Sequence, residues 1–166
     1  VDQADQLHCR VSKRVDADSG VESGNDYYQG WIDWDAHKEY WRIYQSGQFI
    51  HYIALREDWM AEDSWFSGEA KKPGEVLSVV GTVYQITEIF EFLSRLTKRG
   101  IYEEGVRVSV SLHNTNQRRL WLNDPGRVPL SVHYATGAPE ITFDKQYLMD
   151  EVLAKSKDLA FEMIIQ

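Results

Sequence analysis

A chain of 166 residues, 43% hydrophobic and 27% charged, is long enough to bury a core and reads as a single globular domain, residues 1–166. A formal charge of −8 argues against the concentrated basic face that a phosphate-backbone binder needs, and no apolar run is long enough to span a bilayer. One cysteine, Cys9, excludes an internal disulfide and a cysteine-based zinc site; with no signal peptide, the cytoplasm is the expected compartment.

In chain order, RVSKRV (10–15) has the alternation of a short strand, and DADSGVESGND (16–26) has the Asp, Ser and Gly content of an exposed, mobile loop. A β-rich half begins at YYQGWIDWD. Asp35, ahead of AHKEY, has the chemistry of a helix N-cap. From Tyr40 to Gln45 the residues alternate, with Trp41 and Ile43 on one face and Tyr40, Arg42 and Tyr44 on the other. Ser46 and Gly47 supply a turn, and Gln48–Leu55 returns as the second strand of an aromatic hairpin, with Phe49, His51 and Ile53 on one face. The linker at 56–74 carries Trp59, Trp65 and Phe66, rings expected to pin it to the body.

From Glu75 to about Arg99 the apolar period becomes helical: Val76, Val79, Val83, Ile86, Phe90 and Leu93 form a stripe. Gly81 is expected to permit close helix packing and Gly100 to end the helix. VRVSVSL (106–112) then reads as a strand with one apolar face, HNTNQ as a turn and RRLWL (118–122) as its hairpin partner. Residues 130–134 and 140–143 are further strand candidates, and one or two helices follow Asp150. The expected fold is α+β: an antiparallel sheet built from hairpins, packed on one long helix (about 75–99), with a C-terminal helix.

No catalytic residue emerges from the spacing. There is no phosphate-binding glycine loop and no nucleophile elbow. The five histidines, at 8, 37, 51, 113 and 133, show no metal-ligand spacing, so a metal site needs long-range convergence with acids such as Asp33 and Asp35, and none is assigned. No cofactor is assigned either. What remains is the aromatic set. Trp31, Trp34, Trp41, Arg42, Tyr44, Gln48 and His51 are the residues expected to meet a ligand or partner, because Trp, Tyr and Arg are enriched at binding hot spots. Most of the rings are nevertheless expected in the core.

Together, YWRIYQSGQFIHYIALREDW, TEIFEFLSRL and RRLWLNDPGR resemble the region downstream of the Schlafen-type AlbA domain (described as ATP- or DNA-binding) in uncharacterised bacterial proteins. The resemblance implies an intracellular bacterial origin and a C-terminal accessory fragment of a longer protein. Nucleic acid or nucleotide would be handled only by the neighbouring domain, absent here, and no catalytic residue is implied for this chain. The first functional expectation is a non-catalytic sensing, protein-interaction or oligomerisation domain of a regulatory or defence-type protein, meeting a protein partner or a second copy. The alternative is a small-ligand-binding or enzymatic domain that uses hairpin 40–55 as a pocket, which requires Arg42, His51 and Asp33 to converge.

Overall fold

The structure, a computed structural model, describes residues 18–35, 37–59, 62–63, 70–122, 124, 126–127, 130 and 132–165. The strand expected at 10–15, together with Cys9, Trp65 and Phe66, lies outside the described residues. Contacts gather the chain into two compact units, one up to Arg56 and one from Glu57.

The first unit is a four-stranded antiparallel meander of β1 (Ser19–Ser23), β2 (Tyr27–Trp34), β3 (His37–Tyr44) and β4 (Phe49–Ile53), in that spatial order. The stretch read as a mobile loop therefore contains a strand. Its loop-like composition is overridden by pairing with β2, in which Val21 faces Gly30 and Ser23 faces Tyr28. Only Gly24–Asp26 make the turn, closed by a hydrogen bond from Gly24 N–H to Tyr27 C=O at 2.9 Å. Asp35 does not cap a helix. Trp34 pairs with His37, so Asp35 lies in the tight connection between β2 and β3. The β3–β4 turn falls at Ser46–Gly47 as expected. Tyr44 N–H reaches Gln48 C=O at 2.9 Å, and Gly47 takes φ 84°, the left-handed position that a three-residue hairpin loop reserves for glycine.

The second unit supplies the helices. A two-residue ladder joins β5 (Glu62–Asp63) and β6 (Ala70–Lys71), and β7 (Val76–Ser78) leads into α1 (Val79–Lys98). The helix begins four residues later than its expected start at Glu75, because Val76–Ser78 pairs in parallel with β9 (Arg119–Trp121) instead. Ser78 Oγ caps it, accepting the Gly81 N–H at 3.0 Å, while the Glu57 carboxylate accepts the Ser78 N–H at 3.0 Å. A side chain at Gly81 would press on Ser78 Oγ, so this glycine serves the cap rather than helix packing. At the other end, Gly100 (φ 72°) donates to Thr97 C=O and Ile101 to Leu96 C=O, the paired bonds of a Schellman motif.

Strand β8 (Gly105–His113) pairs over its whole length with β10 (Glu140–Leu148), not with RRLWL. Nine register pairs outweigh what a three-residue partner offers. Asn114 and Gln117, both at positive φ, bend the chain between β8 and β9. Residues 140–143 belong to a longer strand than expected; among the described residues of 130–134 there is no strand. Helix α2 (Met149–Ile164) closes the chain. The core of this unit lies between α1, α2 and the β8–β10 sheet, around Phe90, Leu93, Val108, Tyr147, Val152 and Leu159. The fold is thus α+β, with hairpin-built antiparallel sheet, one long helix and a C-terminal helix. Among the described residues no helix is long and apolar enough to cross a membrane.

Candidate binding face

Directly paired residues of neighbouring strands share a face of a sheet. In the first unit Gln29 pairs with Arg42, Trp31 with Tyr40, Asp33 with Lys38 and Tyr27 with Tyr44, while Tyr40 pairs with Tyr52. These residues form one face, the tyrosine face. The opposite face carries Tyr28, Gly30 and Trp34 from β2, His37, Glu39, Trp41 and Ile43 from β3, and Phe49, His51 and Ile53 from β4.

On the tyrosine face, Gln29 Oε1 is a common acceptor. Tyr40 O–H donates to it at 3.0 Å, Arg42 Nε at 2.9 Å, and Arg42 Nη2 donates as well. Arg42 Nη1 donates to the Tyr44 hydroxyl at 3.2 Å, and Gln29 Nε2 donates onward to Glu22 at 3.0 Å. The guanidinium carbon stands 4.3 Å from the Tyr27 ring centre, 5.7 Å from Tyr44 and 5.8 Å from Tyr40. Such ring faces attract a cation. The Tyr44 hydrogen bond, reinforced by the fields of Tyr40, Tyr44 and Tyr27, raises the Arg42 pKa further above its ordinary range. Three of the five guanidinium N–H groups are used in these bonds, and Tyr52 stands at the margin, 64% exposed.

On the opposite face Glu39 joins two imidazoles, with His37 Nε2 at 2.7 Å from one carboxylate oxygen and His51 Nε2 at 2.9 Å from the other. These contacts, His51 first, outweigh the desolvation that opposes them and pull the Glu39 pKa down to about 2. A carboxylate whose folded value lies below its unfolded one stabilises fully above the unfolded value, and the contribution fades as pH falls toward the folded value. Glu39→Gln is therefore expected to cost about 1 kcal/mol near pH 6, with the gap to the native chain closing as pH drops from about 4.5 toward 2. Denaturant melts followed by tryptophan fluorescence across that range would show it. A gap that does not change with pH would remove Glu39 ionisation from the account.

Two tryptophans are committed to packing. Trp41 lies over Gly30, where an added Cβ would sit 2.7 Å from the indole, and Trp31 covers Gly20 in the same way from the other side of the sheet. In each case a glycine lets the indole lie flat across the adjoining strand. Trp41 also meets the Tyr28 ring at 5.6 Å.

Of the seven residues singled out in the sequence, Trp31, Arg42 and Tyr44 share the tyrosine face, whereas Trp34, Trp41 and His51 lie on the other. Gln48 is a turn residue beside the hairpin loop. Arg42 and Tyr44 touch. Arg42, His51 and Asp33 do not converge, since His51 points away from the face that holds the other two. Tyr27, Gln29 and Glu39 are additions: Gln29 sits at the middle of the alternating set Tyr27, Gln29, Trp31, a period-2 signal on the polar side of YYQGWID. Among the described residues no group of three or more His, Cys, Asp or Glu side chains is arranged to hold a metal ion. Protein-family models, curated proteins and solved structures give no match to the chain.

Proposed function

We propose that this chain is a non-catalytic protein-interaction domain and that the tyrosine face is its partner-binding surface. The observation that carries the reading is Arg42, held by Gln29 and Tyr44 and framed by the rings of Tyr27, Tyr40 and Tyr44. Tyrosine and arginine give large contact area at small conformational cost, and here the rotamers are already tied down before any partner arrives. Arg42 has N–H groups beyond the three bonded ones, which suits a carboxylate or carbonyl on the partner. Under the resemblance noted in the sequence, the parent is a bacterial regulatory or defence-type protein and the domain reads or recruits another chain on its behalf. The pocket reading of the same hairpin loses support from the opposite facing of His51 and Arg42.

The test uses Arg42→Lys, which keeps the charge and loses the planar fork. Self-association is measured by sedimentation, and a heterologous partner is sought by photo-crosslinking from Tyr52→p-benzoylphenylalanine in the intact parent protein. Arg42→Lys is expected to weaken the association so revealed by about tenfold or more, with an unchanged circular dichroism spectrum. Equal affinity in the variant, or substrate turnover by the isolated chain that one titratable substitution abolishes, would overturn the proposal.

A further inference from the structure

We infer that β8 pairs with β8 of a second copy of this chain, the two strands running antiparallel about a two-fold axis at Ser109. The β8–β10 sheet has two strands, so each keeps one edge that no described strand occupies. The ladder decides which backbone groups face that edge. Met149 N–H donates to Glu104 C=O at 3.4 Å, one step beyond the pairing of Leu148 with Gly105. Hydrogen-bonded and non-hydrogen-bonded pairs alternate along an antiparallel ladder. Val106, Val108, Val110 and Leu112 therefore bond to β10, while Gly105, Arg107, Ser109, Ser111 and His113 turn their N–H and C=O groups outward. Leu148 agrees with this parity, since its N–H is taken by Glu151 Oε2 at 3.3 Å instead of by β8. Among the described residues no hydrogen bond reaches the outward groups of β8, and Arg107, Ser109, Ser111 and His113 are exposed.

An open edge of 9 residues is a template for another strand. Nothing in GVRVSVSLH guards it: the stretch has no proline and no acidic residue, and its register with β10 runs without a bulge. The same stretch is complementary to itself. Pairing about Ser109 sets Ser109 opposite its own copy, Arg107 opposite Ser111 and Gly105 opposite His113. On the other face it sets Val108 opposite Val110 and Val106 opposite Leu112. Every outward N–H then meets a C=O, β-branched side chains meet across the strands, and no like charges are opposed. The last point selects the occupant, because two copies of a chain with formal charge −8 repel each other unless they meet along an acid-free edge. The edge of β10 fails on this count, since pairing about its midpoint sets Asp144 against Asp144. The β8 contact is isologous, so it closes as a dimer with a continuous β10–β8–β8–β10 sheet and leaves no β8 edge free.

The edge is independent of the tyrosine face, and its test is separate. Sedimentation equilibrium of the whole chain is expected to show a dimer. A charge at the two-fold position meets itself, so Ser109→Lys and Ser109→Glu should each weaken the dimer about tenfold or more, with the circular dichroism spectrum of a folded chain. An equal mixture of the two variants should dimerise again, because lysine then faces glutamate. Should either variant not fold, oxidative crosslinking in a Cys9→Ser background decides. Ser109→Cys should link two copies, its Cα atoms lying about 5.5 Å apart across the axis, whereas Ser111→Cys, which faces Arg107 of the other copy, should link far less. Four results would overturn the inference: a native chain that stays monomeric up to about 1 mM, a Ser109→Lys dimer of undiminished affinity, a mixture no stronger than its components, or equal crosslinking at 109 and 111. A dimer weakened by Arg42→Lys and untouched by Ser109→Lys would belong to the tyrosine face and would overturn it as well.

Discussion

Replacing Phe90 with alanine is expected to cost the second unit about 3–5 kcal/mol, comparable with the whole stability of a marginal domain. Phe90 is fully buried, at 0% exposure, and meets the Tyr147 ring edge-on at 5.4 Å and 89°. Tyr147 is itself 1% exposed. The loss combines the transfer of a large apolar side chain with a cavity that its surroundings have little freedom to fill. On one side, Val108 and Tyr147 belong to a ladder paired at nine positions; on the other, Val152 and Leu159 are fixed on α2. Chemical denaturation followed by the helical circular dichroism signal provides the measurement. A midpoint close to that of the native chain would mean that the helices do not depend on this contact.

Phe90 also illustrates what the sequence made legible. The spacing of Val83, Ile86, Phe90 and Leu93 places them on one helical stripe, and Ile86, Phe90 and Leu93 are core residues. The alternation in VRVSVSL likewise puts Val108 inward. Such patterns are local, because burial acts on a face whose period is set by the element itself. Partner choice is not local. The polar-apolar alternation of β8 is equally compatible with RRLWL and with the distant ITFDKQYL, and only the length of the ladder separates them. The parallel pairing of Val76–Ser78 with β9 was hidden for the same reason, since Val76 fits a helical stripe as well as a buried strand.

The candidate face divides along the same line. Alternation grouped Arg42 with Tyr44 on β3 and His51 with Phe49 on β4, but only the β3–β4 register, which pairs Trp41 with His51 and Arg42 with Ile50, sets the two groups on opposite faces. What β2 adds to that face depends on the β2–β3 register, which pairs Gln29 with Arg42 and makes a glutamine in YYQGWID the acceptor for an arginine 13 positions away. Glu39 shows the opposite balance. His37 lies two residues before it and His51 is carried by the facing strand, so half of the carboxylate's surroundings were visible in HKE and half needed the second pairing.

The sheet's dependence on its glycines yields the second large effect. Gly30→Val is expected to destabilise the first unit by about 1–3 kcal/mol, although valine is the better strand former by up to about 1 kcal/mol. Gly30 is buried, and a Cβ there would stand 2.7 Å from Trp41 Cζ2, 2.8 Å from Cε2 and 3.0 Å from Nε1. Those are atoms of a rigid indole rather than the tip of a flexible chain. The Tyr28 ring, 5.6 Å from the indole and tilted by 47°, limits how far it can swing. The overpacking term therefore exceeds the propensity gain. A double-mutant cycle isolates the cause. With Trp41→Ala in place the collision disappears, so Gly30→Val should become neutral or favourable, giving a coupling of about 1–3 kcal/mol between the two positions. Additive effects would show that Trp41 does not lie over Gly30. Because Gln29, the acceptor for Arg42, is the next residue along β2, the same cycle reaches the tyrosine face. Under the binding role proposed for that face, a β2 strand displaced by the Gly30→Val substitution should weaken association along with stability, and removal of the Trp41 ring should relieve the added loss of stability.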